Sequence, residues 1–576
     1  MERREALLPQ VSLRQLSDRQ YERRRAAALQ VEEVARNLAQ QQQAGNGDSN
    51  ERISKLLDVL IDGYAFAEGM NQRKGGMTAL AAVAVGLGEH APAHLHRIFP
   101  AVLANMEDQE PKCRFYAAES LYNIIRATRD AMVPFFVDGG IFDGVAKLIA
   151  DSSEDVQNAA HLLDRLLKDV ITESTSFDVA HFIPILKDRM RICPNPYVRQ
   201  FLITWTSVLD SVPDIEMLPY LSDLLEGMLD MLSDDNIEIR QHADAALAEF
   251  LQEIKEDPSI DFPSIARILV HKGVQGGNAS ARLTALAWLH ELIHLAQSRL
   301  LREPDIMPDI LNAVLPSLSH RDERVRELAH KANDELAKLD LSASEYQELE
   351  LKPLAHAVSL HVTSGTKATK LQALEWVTHL YMQRPEEMRK EVYSSISPLL
   401  LRAWEDDEDD VILKALEVQA SIAQGEEYFQ QFVRELLDKF KGNPELLHRK
   451  GNITLRRLCV NLDPERVFRE LARLLKSEKN DPEFADTMIQ ALNLIMVSSD
   501  ETKVLRMTLR TALSSDKGSS LFCALYDAWC QNVVATLSLC LLAQSYKHAL
   551  SVAELCGDLD FTADELVQID HLVRAT

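Results

Sequence analysis

Apolar side chains recur at steps of three and four residues along most of the chain, which is the spacing of one face of an α-helix. In one clear example the apolar positions are Val198, Leu202, Trp205, Leu209 and Val212. Alternation of apolar and polar residues, the pattern of a half-buried strand, is not convincing anywhere in the sequence. The pattern therefore predicts an all-α protein.

The helical segments repeat at a nearly constant interval. A basic or polar residue opens the second helix of each pair, at intervals of 40 to 44 positions: Lys74, Arg114, Gln157, Arg199, Arg240, Arg282, Arg326, Lys370 and Lys414. This is the length of HEAT and armadillo repeats, in which a helix pair buries its apolar stripe against the next pair. The interval predicts a HEAT/armadillo-type α-solenoid, a superhelix of stacked antiparallel helix pairs.

Acidic or polar residues lie in the turn before several of these helices, as in 234–240 and 320–326. Because the basic residue follows one turn later, it can reach the acidic turn of a neighbouring repeat. The spacing therefore predicts a ladder of ion pairs along the stack.

The clarity of the repeat divides the chain into four parts. An N-terminal HEAT-repeat array is predicted over 1–340, a loop or linker over 341–352, and further HEAT repeats over 353–427. Helical patterns persist from 428 to 576, but the period is lost there. We expect a specialised C-terminal helical region over 428–576.

The chain carries 62 Lys and Arg against 88 Asp and Glu, a formal charge of −26. This excess of acid argues against sequence-independent binding of nucleic acid and against direct docking on anionic lipid. The N-terminus lacks the apolar core of a signal peptide, and the apolar stretches elsewhere are too short to span a bilayer. The sequence predicts a cytoplasmic protein whose membrane association is indirect.

The segment HELIH at 290–294 matches the zinc-hydrolase pattern, with His290 and His294 on one helical face and Glu291 placed as a general base. Shifted by one repeat, both histidines fall on the outer face of an ordinary repeat helix, and no third-ligand motif follows. A zinc metallohydrolase is therefore the third-ranked hypothesis. Because no nucleophile–base pair or cofactor motif can be placed, the sequence predicts no catalytic residue, metal site or cofactor.

Other chemical motifs have ordinary structural explanations. The acidic run 405–410 lacks the ligand order of a calcium-binding loop, so we interpret it as an exposed repeat turn. ERRR at 22–25 is interpreted as a solvated helix face. Four cysteines whose spacing fits no zinc module are predicted to be core thiols: Cys523, Cys530, Cys540 and Cys556.

Six stretches are too long and too specific to be general HEAT consensus: RKGGMTALAAVAVGLG (73–88), RFYAAESLYNIIRATRDAMVPFF (114–136), LLDRLLKDVITES (162–174), FDVAHFIPILKDR (177–189), RQFLITWTSVLDSVPDIEMLPYL (199–221) and LFCALYDAWCQNVVATLSLCLLAQSYKHAL (521–550). In this order, over nearly the whole chain, they resemble the Vac family of vacuole-morphology HEAT-repeat scaffolds, the family of ArPIKfyve. The resemblance implies a scaffold without catalytic activity.

The same resemblance implies particular partners. Members of the family assemble the phosphatidylinositol 3-phosphate 5-kinase PIKfyve with a Sac-type phosphoinositide phosphatase, and so control phosphatidylinositol 3,5-bisphosphate on endosomal, lysosomal and vacuolar membranes. The family's kinase-binding region maps to about 66–174, and its region for phosphatase binding and self-association maps to 428–576.

The matching motifs also imply individual contact residues, which we treat as expectations. Candidate residues for binding the kinase are Arg73, Lys74, Tyr116, Asp164, Arg165, Lys168 and Asp169. Candidate residues for binding the phosphatase or for self-association are Tyr526, Trp529, Tyr546 and Lys547. For each of them, a purely structural role in the ladder or the core is the alternative.

The sequence departs from the family pattern at two places. Family members have a longer low-complexity insertion where this chain has 341–351, and they continue with further helices beyond 564–576. We therefore expect the self-association contacts to be incomplete if the chain ends at Thr576. The second-ranked hypothesis is an importin-like transport receptor, a class that also combines HEAT repeats with strong acidity.

Overall fold

The structure is a computed structural model that describes residues 8–43, 48–256, 261–300, 305–342, 350–477, 481–556, 566–567 and 569–570. The chain forms two compact units, Met1–Thr284 and Ala285–Thr576. Within the described ranges the regular structure is helical throughout, which confirms the all-α prediction. Most of the predicted loop 341–352 lies outside the described residues, and its last two residues already belong to a helix.

The first unit contains helix pairs that stack in two layers. Its α-helices are α1 (Gln10–Leu16), α2 (Tyr21–Gln43), α3 (Ser49–Leu60), α4 (Met70–Leu87), α5 (Leu95–Asn105), α6 (Pro111–Thr128), α7 (Val133–Phe136), α8 (Ile141–Ile149), α9 (Glu154–Glu173), α10 (Val179–Ile192), α11 (Pro196–Asp210), α12 (Leu221–Met231), α13 (Ile237–Glu256), α14 (Phe262–Ile268) and the start of α15 (Ala279–Leu300). In one layer α2, α4, α6 and α9 pack in succession, as do α11 and α13, and in the other α12 packs between α10 and α14. This is the stacking expected of HEAT repeats.

The second unit is built in the same way. After the remainder of α15 its α-helices are α16 (Ile306–Ser317), α17 (Glu323–Ala337), α18 (Leu351–Val362), α19 (Lys367–Gln383), α20 (Pro385–Glu387), α21 (Tyr393–Arg402), α22 (Asp409–Ile422), α23 (Glu426–Gly442), α24 (Pro444–Asn461), α25 (Pro464–Ser477), α26 (Pro482–Ser498), α27 (Lys503–Arg510), α28 (Asp516–Trp529), α29 (Val533–Leu542) and α30 (Tyr546–Cys556). Helices α19, α22, α24, α26 and α29 pack in succession, and α25 packs between α23 and α28. Helix pairs thus continue through 428–556, where the sequence period is lost.

Short tighter or wider turns extend or join some helices. Turns of 3-10 geometry cover Gly88–His94, Arg129–Met132, Leu218–Tyr220, Ala403–Glu405 and Asp500–Thr502, and π-helical turns cover Ile61–Ala65, Leu269–Gln275 and Met388–Val392.

The predicted ladder of ion pairs is present at several repeat junctions. The Arg114 guanidinium donates to the Asp151 carboxylate, with Nη2 2.8 Å from Oδ1, and the Lys370 ammonium lies 2.6 Å from an Asp406 oxygen. Both carboxylates are less than a tenth exposed as side chains. Arg199 pairs with Asp234 in the same way. Each pair joins one repeat to the turn of the next, which confirms the predicted ladder at these junctions.

The ladder is combined with a turn motif inside several repeats. The Arg114 Nη1 also donates to the main-chain carbonyl of Asp108, six residues back, at 2.7 Å. Arg240 and Arg326 make the equivalent bonds to carbonyls six residues back. One side chain therefore closes its own turn and, at the ion-pair junctions, also binds the following repeat.

Tryptophan side chains form a second set of inter-repeat bonds, deeper in the core. The indole Nε1 of Trp205 donates to Asp164 at 2.9 Å, and that of Trp376 donates to Asn333 at 2.7 Å. Donor and acceptor come from successive repeats. Because all four side chains are buried, each bond satisfies polar groups that would otherwise destabilise the stack.

The cysteine prediction is only partly correct. Cys540 is buried. Burial, and after it the charge of the nearby Cys530, raise the pKa of the Cys540 thiol to about 11. Cys523 and Cys530 are exposed, because they project from the solvent side of α28 and from its C-terminal end. The side chain of Cys556 lies outside the described residues.

The glycines at 75 and 76 allow helices to approach closely. A Cβ at Gly75 would lie 1.9 Å from the carbonyl oxygen of Leu16, and one at Gly76 would lie 2.7 Å from the backbone nitrogen of Ala65. A backbone atom cannot move aside as a flexible side chain can. The absence of a side chain at both positions therefore sets how closely α4 packs on its neighbours.

We expect Gly75→Ala to destabilise the protein by about 2–3 kcal/mol, as overpacking in a core does. In an unconstrained helix the same change would stabilise by about 1 kcal/mol, so the sign of the effect is informative. Thermal unfolding followed by circular dichroism measures it. Gly63→Ala is the matched control, because a Cβ there has no atom within 4 Å. Equal melting temperatures for the two variants would contradict the close approach.

Candidate partner-binding surfaces

The seven candidate residues for kinase binding fall into four different environments. Arg73 belongs to the ladder: its Nη2 lies 3.1 Å from Asp108 Oδ1, and its Nη1 donates to the carbonyls of Ala67 and Glu68. The hydrogen bond that Arg73 donates to Asp108 raises the pKa of Arg73 above its usual value. Arg73, and not its neighbour Lys74, is therefore the ladder residue of this repeat.

Asp164 and Lys168 form a cluster between repeats. The Lys168 ammonium lies 2.7 Å from Asp164 Oδ2 and 5.5 Å from the ring centroid of Trp205, whose indole binds the other oxygen of Asp164. Both side chains are less than a sixth exposed. These contacts give both residues a structural role.

Arg165 and Asp169 are exposed on α9, where a partner can reach them. They share this helix with Leu162, which is 60% exposed even though it is a large apolar residue. The neighbouring Leu163 is fully buried. The exposed side of α9 is therefore a surface on which charged and apolar contacts are both available.

Lys74 and Tyr116 lie together at a groove formed by the connection before α2 and by α4 and α6. The groove has a volume of about 790 Å³. Tyr116 accepts a hydrogen bond from Arg24 at 2.7 Å. Arg24 is only 3% exposed, so the interpretation of 22–25 as a solvated face is wrong for this residue. The structure thus adds a buried arginine that the sequence analysis missed.

The four candidate residues for phosphatase binding or self-association also differ in their exposure to solvent. Trp529 is fully buried in the core, with its ring centroid 6.3 Å from that of Phe468. Tyr546 is 63% exposed, and Lys547 beside it on α30 is exposed as well. The Tyr526 hydroxyl lies 2.7 Å from His548 Nε2, at the surface. Three of the four are accessible to a partner, and Trp529 can act only through packing.

The HELIH histidines do not converge. His290 Nδ1 lies 3.6 Å from Glu291, whereas His294 Nδ1 lies 3.6 Å from Glu335, on a different helix. Glu335 is held at the same time by Lys338 at 2.5 Å. Over the described ranges no group of three or more His, Cys, Asp or Glu side chains is arranged to hold a metal ion.

Five of the six carboxylates in the acidic run 405–410 form ion pairs with lysines. Lys439 lies 2.6 Å from Glu405, Lys370 2.6 Å from Asp406 and Lys367 3.3 Å from Glu408. Lys367 also pairs with Asp410, and Lys450 pairs with Asp409. These ion pairs support the interpretation of the run as a repeat turn.

A group of carboxylates lies at a second groove, of about 530 Å³, between the end of α11 and α13. Burial, and then the negative charges of Glu253 and Glu249, raise the pKa of Asp210 to about 7. Burial, and then the negative charges of Glu249 and Glu256, raise the pKa of Glu253. Asp210 therefore changes charge near neutral pH.

We expect Asp210→Asn to stabilise the protein by about 1–2 kcal/mol near pH 8, after discounting for its partial exposure. The folded pKa lies above the unfolded value of 3.8, so the wild type loses stability as pH rises from about 4 to 7. Asparagine removes this loss. Melting temperatures at about pH 5 and pH 8 test the prediction. Asp214→Asn in the adjoining exposed loop is the control, and a gain that does not grow with pH would contradict the cause given.

Comparison with known proteins gives relatives along nearly the entire chain. It is 43% identical over 567 residues to "Protein VAC14 homolog" of Arabidopsis thaliana, which covers 98% of this chain and 74% of that protein. It is 25% identical to "Vacuole morphology and inheritance protein 14" of Saccharomyces cerevisiae, covering 97% of this chain and 78% of that one. A comparison with a crystal structure of importin β covers 97% of this chain and 73% of the importin β chain. The TM-score is 0.34 and the sequence identity is 13%, and these values are too low to support any inference about function.

Two family models match separate parts of the chain. One, described as "Vacuolar 14 Fab1-binding region", matches residues 71–169, and the other, "Vacuolar protein 14 C-terminal Fig4p binding", matches residues 444–575. Helix pairs joined by a ladder of ion pairs define a HEAT-repeat protein of the α-solenoid class. Its sequence relatives place it more narrowly: the chain belongs to the VAC14 family, as the resemblance predicted.

Proposed function

We propose that this protein is a non-catalytic scaffold that holds a Fab1/PIKfyve-type lipid kinase and a Fig4-type Sac phosphatase in one complex. The kinase makes phosphatidylinositol 3,5-bisphosphate from phosphatidylinositol 3-phosphate, and the phosphatase takes part in its turnover. Holding both enzymes together would couple synthesis to removal of the same lipid. The observation that carries the proposal is the match of two distinct family binding regions to this one chain.

The fold supports the division of labour between these regions. Residues 71–169 lie within the first compact unit, and residues 444–575 lie within the second. In repeat proteins each helix pair contacts mainly its neighbours, so changes in one region leave distant repeats intact. Each partner can therefore have its own binding surface. The importin-like alternative is not favoured, because the family match runs along the chain and names other partners.

The accessible candidate residues are the proposed direct contacts. For the kinase they include Arg165 and Asp169 on α9, next to the exposed Leu162. For the phosphatase they include Tyr546 and Lys547 on α30. Exposed leucines on the same helix, Leu550 at 61% and Leu555 at 79%, support a further proposal that this end of the chain self-associates.

We propose that the protein acts in the cytoplasm, at the surface of endosomal, lysosomal or vacuolar membranes. None of the helices in the described ranges is both long enough and apolar enough to cross a bilayer. The net charge of −26 would repel anionic lipid. Attachment through the lipid enzymes is the route that this charge allows.

Affinity purification of the full chain from cells, with identification and quantification of the co-purifying proteins, tests the proposal. We expect the kinase and the phosphatase together, and a fall in phosphatidylinositol 3,5-bisphosphate when the chain is removed. Recovery of basic cargo peptides and a small GTPase, with neither enzyme, would favour an importin-like receptor. One equivalent of tightly bound zinc that His290→Ala abolishes would favour the metallohydrolase.

A further inference from the structure

The groove between the connection before α2 and helices α4 and α6 contains two cations that form no ion pair with the described residues. Its lining combines basic and aromatic side chains: Arg19, Tyr21, Arg24, Lys74, Lys112, Phe115 and Tyr116. Two of the cations, Arg24 and Lys74, are 3% and 6% exposed. Buried arginine and lysine residues are ordinarily paired with an acid.

Lys74 has no acid of its own. Within the described ranges its ammonium makes no hydrogen bond or ion pair, and it lies 6.0 Å from the ring centroid of Tyr116. Burial, and then the charge of Arg24, lower the pKa of Lys74. A largely buried lysine without a carboxylate partner is unfavourable for folding.

Arg24 is only partly satisfied. Its Nη1 donates to the main-chain carbonyls of Asp18 and Arg19, and its Nη2 donates to the Tyr116 hydroxyl. Its buried Nε has no hydrogen-bond acceptor among the described residues. All three acceptors that it does have are neutral, so no carboxylate contacts the guanidinium directly.

Carboxylates near the groove make no direct contact with these cations, although the charge of Glu110 raises the pKa of Lys74 against the effect of burial. Glu110 and Asp155 line its rim, and Glu119 lies further along α6. None of the three forms a hydrogen bond or ion pair with Arg24 or Lys74 in the part of the chain that the structure describes. Lys112 and Arg19 add positive charge at the entrance. The groove therefore has the electrostatics of an anion site.

We propose that this groove binds an acidic segment of the kinase, with a carboxylate of that segment placed against Lys74 and Arg24. Phe115, Tyr116 and Tyr21 offer apolar faces on which neighbouring side chains of the segment can pack. A volume of about 790 Å³ is large enough for several peptide side chains. This inference rests on the proposed function, because Lys74, Phe115 and Tyr116 lie within the region 71–169.

A peptide fits the groove better than a membrane does. Lys74 and Arg24 are more than nine-tenths buried, so a bilayer surface cannot bring its headgroups to them without a protruding group. A carboxylate on a flexible side chain can reach that depth. The overall charge of −26 also disfavours approach to an anionic bilayer, whereas a short segment meets only the local positive field.

Lys74→Met in the full-length protein is the central test. We expect kinase co-purification to fall by about tenfold or more, since truncating a desolvated charge contact has effects of this size. Phosphatase co-purification should be unchanged, and the melting temperature should be equal or higher because an unpaired buried charge is removed. Lys147→Met is the matched control, because Lys147 is 62% exposed and pairs with Glu107 outside the groove.

The outcomes separate this inference from the proposed function. If Lys74→Met captures the kinase as well as wild type does, the groove assignment is overturned while the scaffold function stands. If the wild type captures no kinase, both fall. Should Lys74→Met prove unstable, the rim variant Lys112→Met decides in its place, with reduced kinase capture expected.

Overlapping peptides that span the kinase sequence identify the bound segment directly. We expect an acidic peptide to bind the wild type, to bind Lys74→Met at least about tenfold more weakly, and to dissociate at high salt. Vesicles of phosphatidylcholine with phosphatidylinositol 3-phosphate form the second arm. Lys74-dependent binding to these vesicles, with every peptide inactive, would overturn the peptide assignment in favour of a lipid headgroup.

Discussion

Leu163→Arg is expected to unfold the repeat that contains α9 and to abolish kinase binding. Leu163 is fully buried in α9, a helix that packs on both α6 and α8. An uncompensated charge in such a site typically destabilises by about 3–5 kcal/mol. Circular dichroism during heating measures the loss of stability, and co-purification measures kinase binding. The phosphatase should still be captured, because residues 444–575 lie in the other compact unit.

The adjacent leucine provides a matched control for this prediction. Leu162→Arg introduces the same side chain one position earlier, at a residue that is 60% exposed. It should fold normally, because the guanidinium remains in water. If it also loses the kinase, the exposed side of α9 is a contact surface. A Leu163→Arg protein that melts at the wild-type temperature would show that the burial assigned here is incorrect.

The fold could be predicted from the sequence because a repeat presents the same evidence many times. A single helix such as α11 has an apolar stripe that fits many folds. An interval of 40 to 44 residues held over nine positions restricts the choice to stacked helix pairs. The ion pair of Arg114 with Asp151 followed from the same spacing, since equivalent positions in neighbouring repeats must come close together.

The candidate site was harder to predict because neighbouring residues on a helix point in different directions. Arg73 and Lys74 are adjacent cations, yet a rotation of about 100° per residue directs one into the ladder and the other into the groove. Sequence spacing alone assigned the ladder position to Lys74. In the run 22–25 it likewise could not distinguish Arg24, which is buried, from the exposed residues beside it.

Burial of polar side chains was the other feature that the pattern did not show. Asp164 and Lys168 look like surface charges in sequence, but they are held against Trp205 between repeats. The role of the paired glycines at 75 and 76 likewise depends on a backbone approach from a distant segment. A contact of this kind cannot be deduced before the crossing of the helices is known.

Trp529→Ala is expected to destabilise the second unit by about 3–5 kcal/mol and to reduce phosphatase binding at the same time. The indole is fully buried near Phe468, so its removal leaves a cavity in the core. Unlike Trp205 and Trp376, its Nε1 has no hydrogen-bond acceptor among the described residues. The energy at this position therefore comes from packing, and the measurement is thermal unfolding paired with phosphatase co-purification.

Two further variants distinguish packing from direct contact. Trp529→Phe keeps an aromatic ring in the core and removes the unpaired N–H together with part of the indole volume, so it should retain more of the stability and of the phosphatase binding than Trp529→Ala does. Tyr546→Ala changes a residue that is 63% exposed, so it should leave the melting temperature unchanged and weaken phosphatase binding or self-association if α30 is the contact. A Trp529→Phe protein of full stability that fails to bind the phosphatase would instead place the indole itself at the interface, because packing would then no longer account for the loss.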